Sequence, residues 1–278
     1  MRIAVLSGKG GTGKTFVSVN LACTAEKAVY VDCDVEEPNG HLFLKPKISN
    51  RIPVSVNIPE LIANKCLGCK QCVNFCKYNA LAYVFNQVMI FPEVCHSCGG
   101  CILLCPTKAL VKTERKIGEI AQGQSGSVST LTGCLNTGEE SGVPIIKGLI
   151  QKLPDADTAI IDCPPGSACI VMESIRKADF CLLVAEPTLF GVHNLAMVYD
   201  LVKLFKKPFG VVLNKCLSEE NPAEQFCSDN QIRVLAKIPF DEKLGSLNSK
   251  GLIAVREERQ YQKLFQKMLG SITKGAAL

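Results

Sequence analysis

The chain opens on Arg2-Ile3-Ala4-Val5-Leu6-Ser7-Gly8-Lys9-Gly10-Gly11-Thr12-Gly13-Lys14-Thr15, and this stretch decides the fold. Arg2–Ser7 reads as a buried parallel strand, because its apolar residues run together rather than alternate. Gly8–Thr15 fits GxxxxGK[ST]. Its glycines let successive backbone N–H groups turn inward around phosphate oxygens, and the following helix adds its N-terminal dipole. In such a loop Lys14 reaches the β- and γ-phosphates, and the Thr15 hydroxyl ligates Mg²⁺. Phe16–Glu26 has helical spacing, and Ala28–Val31 is a second strand ending at Asp32. That order is the start of a βαβ unit and predicts an α/β fold with a mostly parallel sheet flanked by helices.

The rhythm then breaks. Cys66, Cys69, Cys72 and Cys76 recur as Cys95, Cys98, Cys101 and Cys105, each 29 residues later, and Ala80-Leu81 recurs as Ala109-Leu110 at the same offset. A match at one offset signals a duplicated unit. Both halves read C-x₂-C-x₂-C-x₃-C, and soft thiolates in this number select iron–sulfur or zinc. Beyond the repeat, 118–142 is rich in Gly, Ser and Thr and reads as loops and short strands. Strands and helices then alternate from Val143 to a terminal helix near Glu257–Ile272. The domain reading is residues 1–60 and 116–278 as one discontinuous α/β domain, interrupted by an insert at 61–115.

Composition narrows the classes. The chain has 278 residues, 16 Cys, no Trp and a formal charge of +5. No apolar run reaches membrane-spanning length, and no leader precedes the first strand, so a cytoplasmic protein is expected. Cysteine in a reducing compartment holds metal more often than it forms disulfides. Lys and Arg are spread along the chain, so no nucleic-acid partner is expected. The insert carries six Lys or Arg against two acids, which reads as counter-charge for thiolate-bound clusters. The apolar stripe Tyr261, Leu264, Phe265, Met268, Leu269, Ile272 reads as a packed helix rather than a membrane anchor.

A second lysine, Lys9, makes the loop KGGxGK[ST], and Asn20-Leu21-Ala22 follows it. This stretch resembles the deviant Walker A motif of the MinD/ParA/nitrogenase-iron-protein family of P-loop ATPases. The resemblance implies a homodimer that sandwiches ATP, with Lys9 acting across the interface and slow hydrolysis by each chain alone. It implies that Asp34 orients the attacking water and that Asp32 lies near Mg²⁺. In Ile160-Ile161-Asp162-Cys163-Pro164-Pro165-Gly166, Asp162 would hold Mg²⁺ and Gly166 would sense the γ-phosphate. Asn214 is implied to read the adenine edge, and Pro239-Phe240-Asp241 to line the base.

The cysteine run is similar to that of bacterial ferredoxins. That likeness implies two [4Fe-4S] clusters whose fourth ligands cross between halves. The sets are Cys66, Cys69, Cys72 with Cys105, and Cys95, Cys98, Cys101 with Cys76. Lys77 stands where the second half has Pro106, a turn position rather than a ligand. Taken together, the chain resembles MinD-superfamily ATPases with an inserted ferredoxin domain. Three roles remain open: an ATP-gated electron carrier to a redox or client protein, a metallochaperone or iron–sulfur assembly factor, and a MinD/ParA-like positioning protein. Of the other eight cysteines, Cys163 and Cys169 flank the second switch and raise the question of a shared metal at the dimer axis.

Overall fold

A computed structural model describes residues 1–153, 158–217 and 221–275. Its strands are β1 (Arg2–Leu6), β2 (Ala28–Asp32), β3 (Lys47–Leu61), β4 (Leu81–Val84), β5 (Gln87–Ile90), β6 (Leu110–Ser125), β7 (Val128–Leu135), β8 (Thr158–Asp162), β9 (Phe180–Ala185), β10 (Phe209–Cys216) and β11 (Val234–Pro239). The helices are α1 (Lys14–Thr24), α2 (Gly40–Leu44), α3 (Gln71–Phe75), α4 (Gly100–Leu103), α5 (Val143–Gln151), α6 (Cys169–Ile175), α7 (Leu189–Leu204), α8 (Pro222–Asp229), α9 (Glu242–Ser249), α10 (Ala254–Glu257) and α11 (Arg259–Gly275).

The main sheet runs β11-β10-β9-β1-β8-β2-β7-β6-β3. Pairing is parallel from β11 to β7; β6 is antiparallel to both β7 and β3. Central strands such as β9 (Phe-Cys-Leu-Leu-Val-Ala) are buried along their whole length, which explains why their sequences do not alternate. One face packs on α5, α6, α7 and α8 through Ile146, Leu149, Val171 and Val198. The other packs on α1, α10 and α11 through Val17, Leu21, Phe265 and Met268. The terminal stripe is therefore buried: Phe265 meets Phe16 edge to face at 6.0 Å, and the Tyr261 hydroxyl donates to Asp241 Oδ2 at 2.6 Å. Among the described residues, no helix is long and apolar enough to cross a membrane.

Parallel register aligns Asp32 with Asp162, so two carboxylates end neighbouring strands at the carboxyl edge of the sheet. That edge is where α/β sheets bind ligands.

The segment 118–142, read as loops and short strands, holds the end of one long strand, β6, and the whole of β7. β3 and β6 pair from Lys47↔Gln124 to Leu61↔Leu110, and β7 covers β6 only as far as Gly118↔Leu135. Residues 55–61 and 110–116 thus project beyond the sheet as a two-stranded arm. A register shift between Val54 and Ser55 leaves Ile117 unmatched where the arm departs, and its carbonyl accepts from the Asn136 N–H at 2.9 Å.

The arm ends in the cysteine-rich unit, residues 62–109, which has its own small core of Ala80, Leu81, Val88 and Leu110 around the buried Cys72 and Cys101. The sequence repeat is also a backbone repeat. Helices α3 and α4, and single turns at Ala63–Lys65 and Pro92–Val94, sit at equivalent positions of the two halves. Left-handed residues pair likewise: Gly68 with Ser97, Lys70 with Gly99, Asn79 with Lys108. The Ile62 N–H donates to Ala109 O at 2.8 Å, and its counterpart Phe91 donates to Ala80 O at 2.9 Å. Leu81↔Ile90 in the β4–β5 hairpin repeats Leu110↔Leu61 in the arm, so the arm's last pair belongs to both.

Candidate functional site

The loop between β1 and α1 is shaped from behind. Its carbonyls are held outward: Lys9 O accepts from the Ser7 hydroxyl at 2.8 Å and the Thr12 hydroxyl at 3.2 Å. Gly11 O accepts from Lys215 Nζ at 3.0 Å, and Thr12 O from Asn214 Nδ2 at 2.8 Å. Turning carbonyls away leaves amide N–H groups facing the cavity, as an anion cradle needs. Gly13 begins α1 at φ 94°, and a Cβ there would lie 2.1 Å from Asn214 Nδ2, so only glycine fits. Gly8, Gly10 and the rest of the loop lie where the sequence places them, at the start of α1.

Lys14 is buried, and its Nζ lies 2.7 Å from Asp162 Oδ1 and 3.9 Å from Asp34 Oδ2. Burial works against its charge, but Asp162, Asp34 and Asp32 outweigh it and raise its pKa. The Ser18 hydroxyl also donates to Asp162 Oδ1, at 3.1 Å. The fully buried Tyr30 hydroxyl donates to Asp162 Oδ2 at 2.8 Å and lies 3.5 Å from Asp32 Oδ2. Asp32 accepts the N–H groups of Gly40 at 3.0 Å and Asp34 at 3.3 Å. Burial, reinforced by the Asp162 charge, raises Asp32 to about 7; burial raises Asp34 to about 6 against the pull of Lys14. Burial and the neighbouring charges thus work against ionisation of Asp32 and Asp34, while Lys14 offsets part of that cost.

A cavity of about 470 Å³ joins Lys9, Gly10, Lys14, Thr15 and Asp34 with Pro164 and Pro165, which follow β8. A slot of about 210 Å³ continues past Gly13 and Phe16 to Asn214, Pro239, Phe240 and Asp241. Of the predicted residues, Lys9, Gly10, Gly11, Gly13, Lys14, Thr15, Asp34 and Asn214 line this groove, of a size that suits a small ligand, and Gly8, Thr12, Asp32, Asp162 and Gly166 do not. Two of them are otherwise engaged. Asn214 spends one amide proton on the Thr12 carbonyl. The Gly166 N–H, at φ 93°, donates to Ser7 O at 2.9 Å and does not point into the groove as a free donor.

Lys9 sits on the rim. Its Nζ lies 3.4 Å from Glu186 Oε2 and 4.6 Å over the Phe190 ring. Glu186 also holds Lys215 at 2.6 Å. Burial pushes the Glu186 carboxyl up, but Lys215 and Lys9 together hold it below its usual range. Tyr30, Ser18, Gly40 and Glu186 escape a sequence reading. Tyr30 looks like one more apolar strand residue, and no motif surrounds the others.

In the cysteine-rich unit, Cys66, Cys69, Cys72 and Cys105 line one cavity, walled by Leu61, Val88 and Leu110. Burial raises the Cys101 thiol to about 11, with the neighbouring Cys95, Cys98 and Cys72 adding to the effect. Cys72 and Cys101, one from each set, share the unit's small core, so the two sets are adjacent. Backbone donors reach the sulfurs symmetrically: Ala109 N–H to Cys105 Sγ at 3.2 Å, and Ala80 N–H to Cys76 Sγ at 3.4 Å. Among the described residues, no three His, Cys, Asp or Glu side chains converge tightly enough to hold a single metal ion. A cubane spreads its ligands over four corners and makes no such demand. The apolar walls, the backbone N–H···S contacts and the four-thiol lining fit that larger group.

Comparison with known proteins agrees with the fold and the loop. The chain is 31% identical over 220 residues to an uncharacterised protein of Methanocaldococcus jannaschii, covering 77% of this chain and 78% of that one. It is 23% identical over 297 residues to the iron-sulfur cluster carrier protein of Pyrococcus horikoshii, covering 96% and 83%. The structure of the septum site-determining protein MinD complexed with Mg-ADP, also from P. horikoshii, superposes with a TM-score of 0.62 at 21% identity, covering 98% and 96%. Residues 3–255 match the CobQ/CobB/MinD/ParA nucleotide binding domain. The chain therefore belongs to the CobQ/CobB/MinD/ParA family of nucleotide-binding proteins.

Proposed function

We propose that this protein is an ATP-hydrolysing iron–sulfur protein in which nucleotide state controls electron transfer through two [4Fe-4S] clusters to a partner protein. One observation carries the reading. The cavity lined by Cys66, Cys69, Cys72 and Cys105 ends an arm that leaves the sheet at the edge holding Asp32 and Asp162. The cysteine-rich unit and the candidate nucleotide groove share one edge of one sheet, which supports coupling between them.

In this reading the inserted unit is ferredoxin-like and spans 61–115. The loop amides of Gly8–Thr15 bind phosphate oxygens, and Lys14 exchanges Asp162 for the β- and γ-phosphates. Thr15, Asp32 and Asp162 would hold Mg²⁺, which neutralises charge on the phosphates when bound. Asp34, above its usual range, accepts a proton from the attacking water that it orients. Gly166 releases Ser7 O to meet the γ-phosphate, and Asn214 uses its remaining amide proton and oxygen on adenine. Lys9 leaves Glu186 and reaches the nucleotide of a second copy, so hydrolysis is slow until two chains meet. Val35 O accepts the Leu135 N–H at 2.8 Å, and β7 leads through β6 to Cys105; that path would carry nucleotide state to the clusters.

The test is an anaerobic preparation assayed for iron and for cluster midpoint potential with and without MgATP. About eight irons per chain are expected, falling to about half in Cys69→Ala, together with a nucleotide-dependent potential or transfer rate. An iron-free protein, or identical redox behaviour in both states, would refute the proposal. The likeness to an iron-sulfur cluster carrier favours one second reading, transfer of whole clusters to an apo-protein. It predicts clusters that leave on mixing with an apo-acceptor.

A further inference from the structure

We propose that the end of the cysteine-rich unit bearing Cys66, Cys69 and Cys105 is the docking face for an acidic electron-carrier protein. The inference rests on the iron–sulfur reading above and adds where, and to what, the clusters connect.

The two ends of the unit differ. At the end bearing Cys95 and Cys98, His96 stacks on Tyr78 with centroids 3.7 Å apart. Its Nε2 lies 3.6 Å from Glu140 Oε2 of the main domain. Cys95 and His96 share a cleft with Arg115, Glu139 and Pro144. That end is turned toward the body of the protein.

The other end faces solvent with two features that a free surface disfavours. Phe85, at the tip of the β4–β5 hairpin, is 95% exposed and held at φ 49°. A bulky residue in the left-handed region costs free energy, and exposing its ring costs more. Leu67, between Cys66 and Cys69, is 76% exposed. The two belong to one surface. Tyr83, two residues before Phe85, packs its hydroxyl where a Cβ on Gly68 would stand 2.5 Å away, and Lys70 Nζ lies 4.7 Å over its ring.

Charge selects the occupant. Lys65, Lys70 and Lys108 are exposed around this end, and Glu93, the one acid of residues 62–109, lies in the half that follows the hairpin. A cubane with four thiolates carries about two negative charges, so three lysines leave this end positive even when loaded. Exposed apolar anchors inside a basic rim form an interface that an acidic surface complements, steered by long-range attraction. A cluster held there would exchange one electron with the partner's own redox centre, the one oxidised by one and the other reduced by one, with no bond or proton exchanged.

The test measures binding by the cluster-loaded protein under anaerobic conditions. The probes are oxidised plant-type ferredoxin, a small acidic [2Fe–2S] protein, and basic cytochrome c. Saturable binding of ferredoxin is expected, weakening about tenfold or more between low and high salt. Lys70→Glu and Phe85→Ser should each weaken it about five- to tenfold, while Lys27→Glu, an exposed lysine before β2, leaves it unchanged. Iron content and melting temperature of each variant report whether it folds and loads. No binding, equal binding by all variants, or preference for cytochrome c would overturn the docking face. Absence of iron would instead overturn the iron–sulfur reading, in a separate measurement.

Discussion

Replacing Asp32 by Asn should stabilise the nucleotide-free protein above neutral pH while weakening its response to magnesium. Asp32 is fully buried beside Asp162, and burial followed by that neighbouring charge raises its carboxyl from 3.8 to about 7. The folded state therefore binds this proton more tightly than the unfolded state. Stability contributed by the protonated form is complete near pH 4 and is lost as pH rises toward about 7. Each tenfold change in proton affinity is worth about 1.4 kcal/mol. The full penalty near pH 8 thus approaches about 4 kcal/mol. Asp162 and Lys14 readjust when the charge is removed, so a gain of about 1–3 kcal/mol is expected, or about 3–10 °C in melting temperature for a chain this size. Asn keeps an oxygen for the Gly40 N–H, 3.0 Å away, so the switch remains anchored. The assay is thermal unfolding of nucleotide-free protein at about pH 5.5 and about pH 8. Wild type should melt lower at the higher pH, and Asp32→Asn should lack that slope. A wild-type melting temperature flat across this window, or an Asn variant less stable than wild type at pH 8, would refute the reasoning.

Tyr30→Phe removes the donor shared between Asp162 and Asp32 without opening a cavity; it should cost about 1.5–3 kcal/mol of stability and raise the magnesium concentration needed for half-maximal ATP turnover, measured by titration. Glu186→Gln should free Lys9 and lower the protein concentration at which ATP induces dimers by several-fold; unchanged sedimentation would show that Glu186 does not restrain Lys9.

Features written in short spacings were legible before any coordinates. Lys14, Thr15 and the glycines announce themselves because a phosphate loop is local. Asp32 and Asp162 end apolar strands, which marks the carboxyl edge of the sheet. The eight cysteines disclose a duplicated unit through one offset, and Cys105 lines the same cavity as Cys66, Cys69 and Cys72. What was hidden depends on distant partners. Tyr30 reveals its role only when Asp162 is beside it, 132 positions later. Glu186 gains meaning from Lys9 and Lys215 together. Residues 118–142 read as loops and short strands because Gly118, Gly123 and the polar residues around them interrupt the alternation, which hides the length of β6. Its identity comes from β3 and β7, which pair with it.

The bulge at Ile117 makes the arm a mechanical element. About seven residue pairs extend beyond the sheet, or about 23 Å at strand spacing. Only Ile62 and the single turn Ala63–Lys65 lie between Leu61↔Leu110 and Cys66, so the unit follows the arm closely. A rotation of about 10° at the bulge would sweep the tip through about 4 Å over this length. Arg115, paired with Glu139, and Val56, packed on the main core, brace the arm against such a tilt. Asn136, whose N–H caps the Ile117 carbonyl, is the pin at the fulcrum.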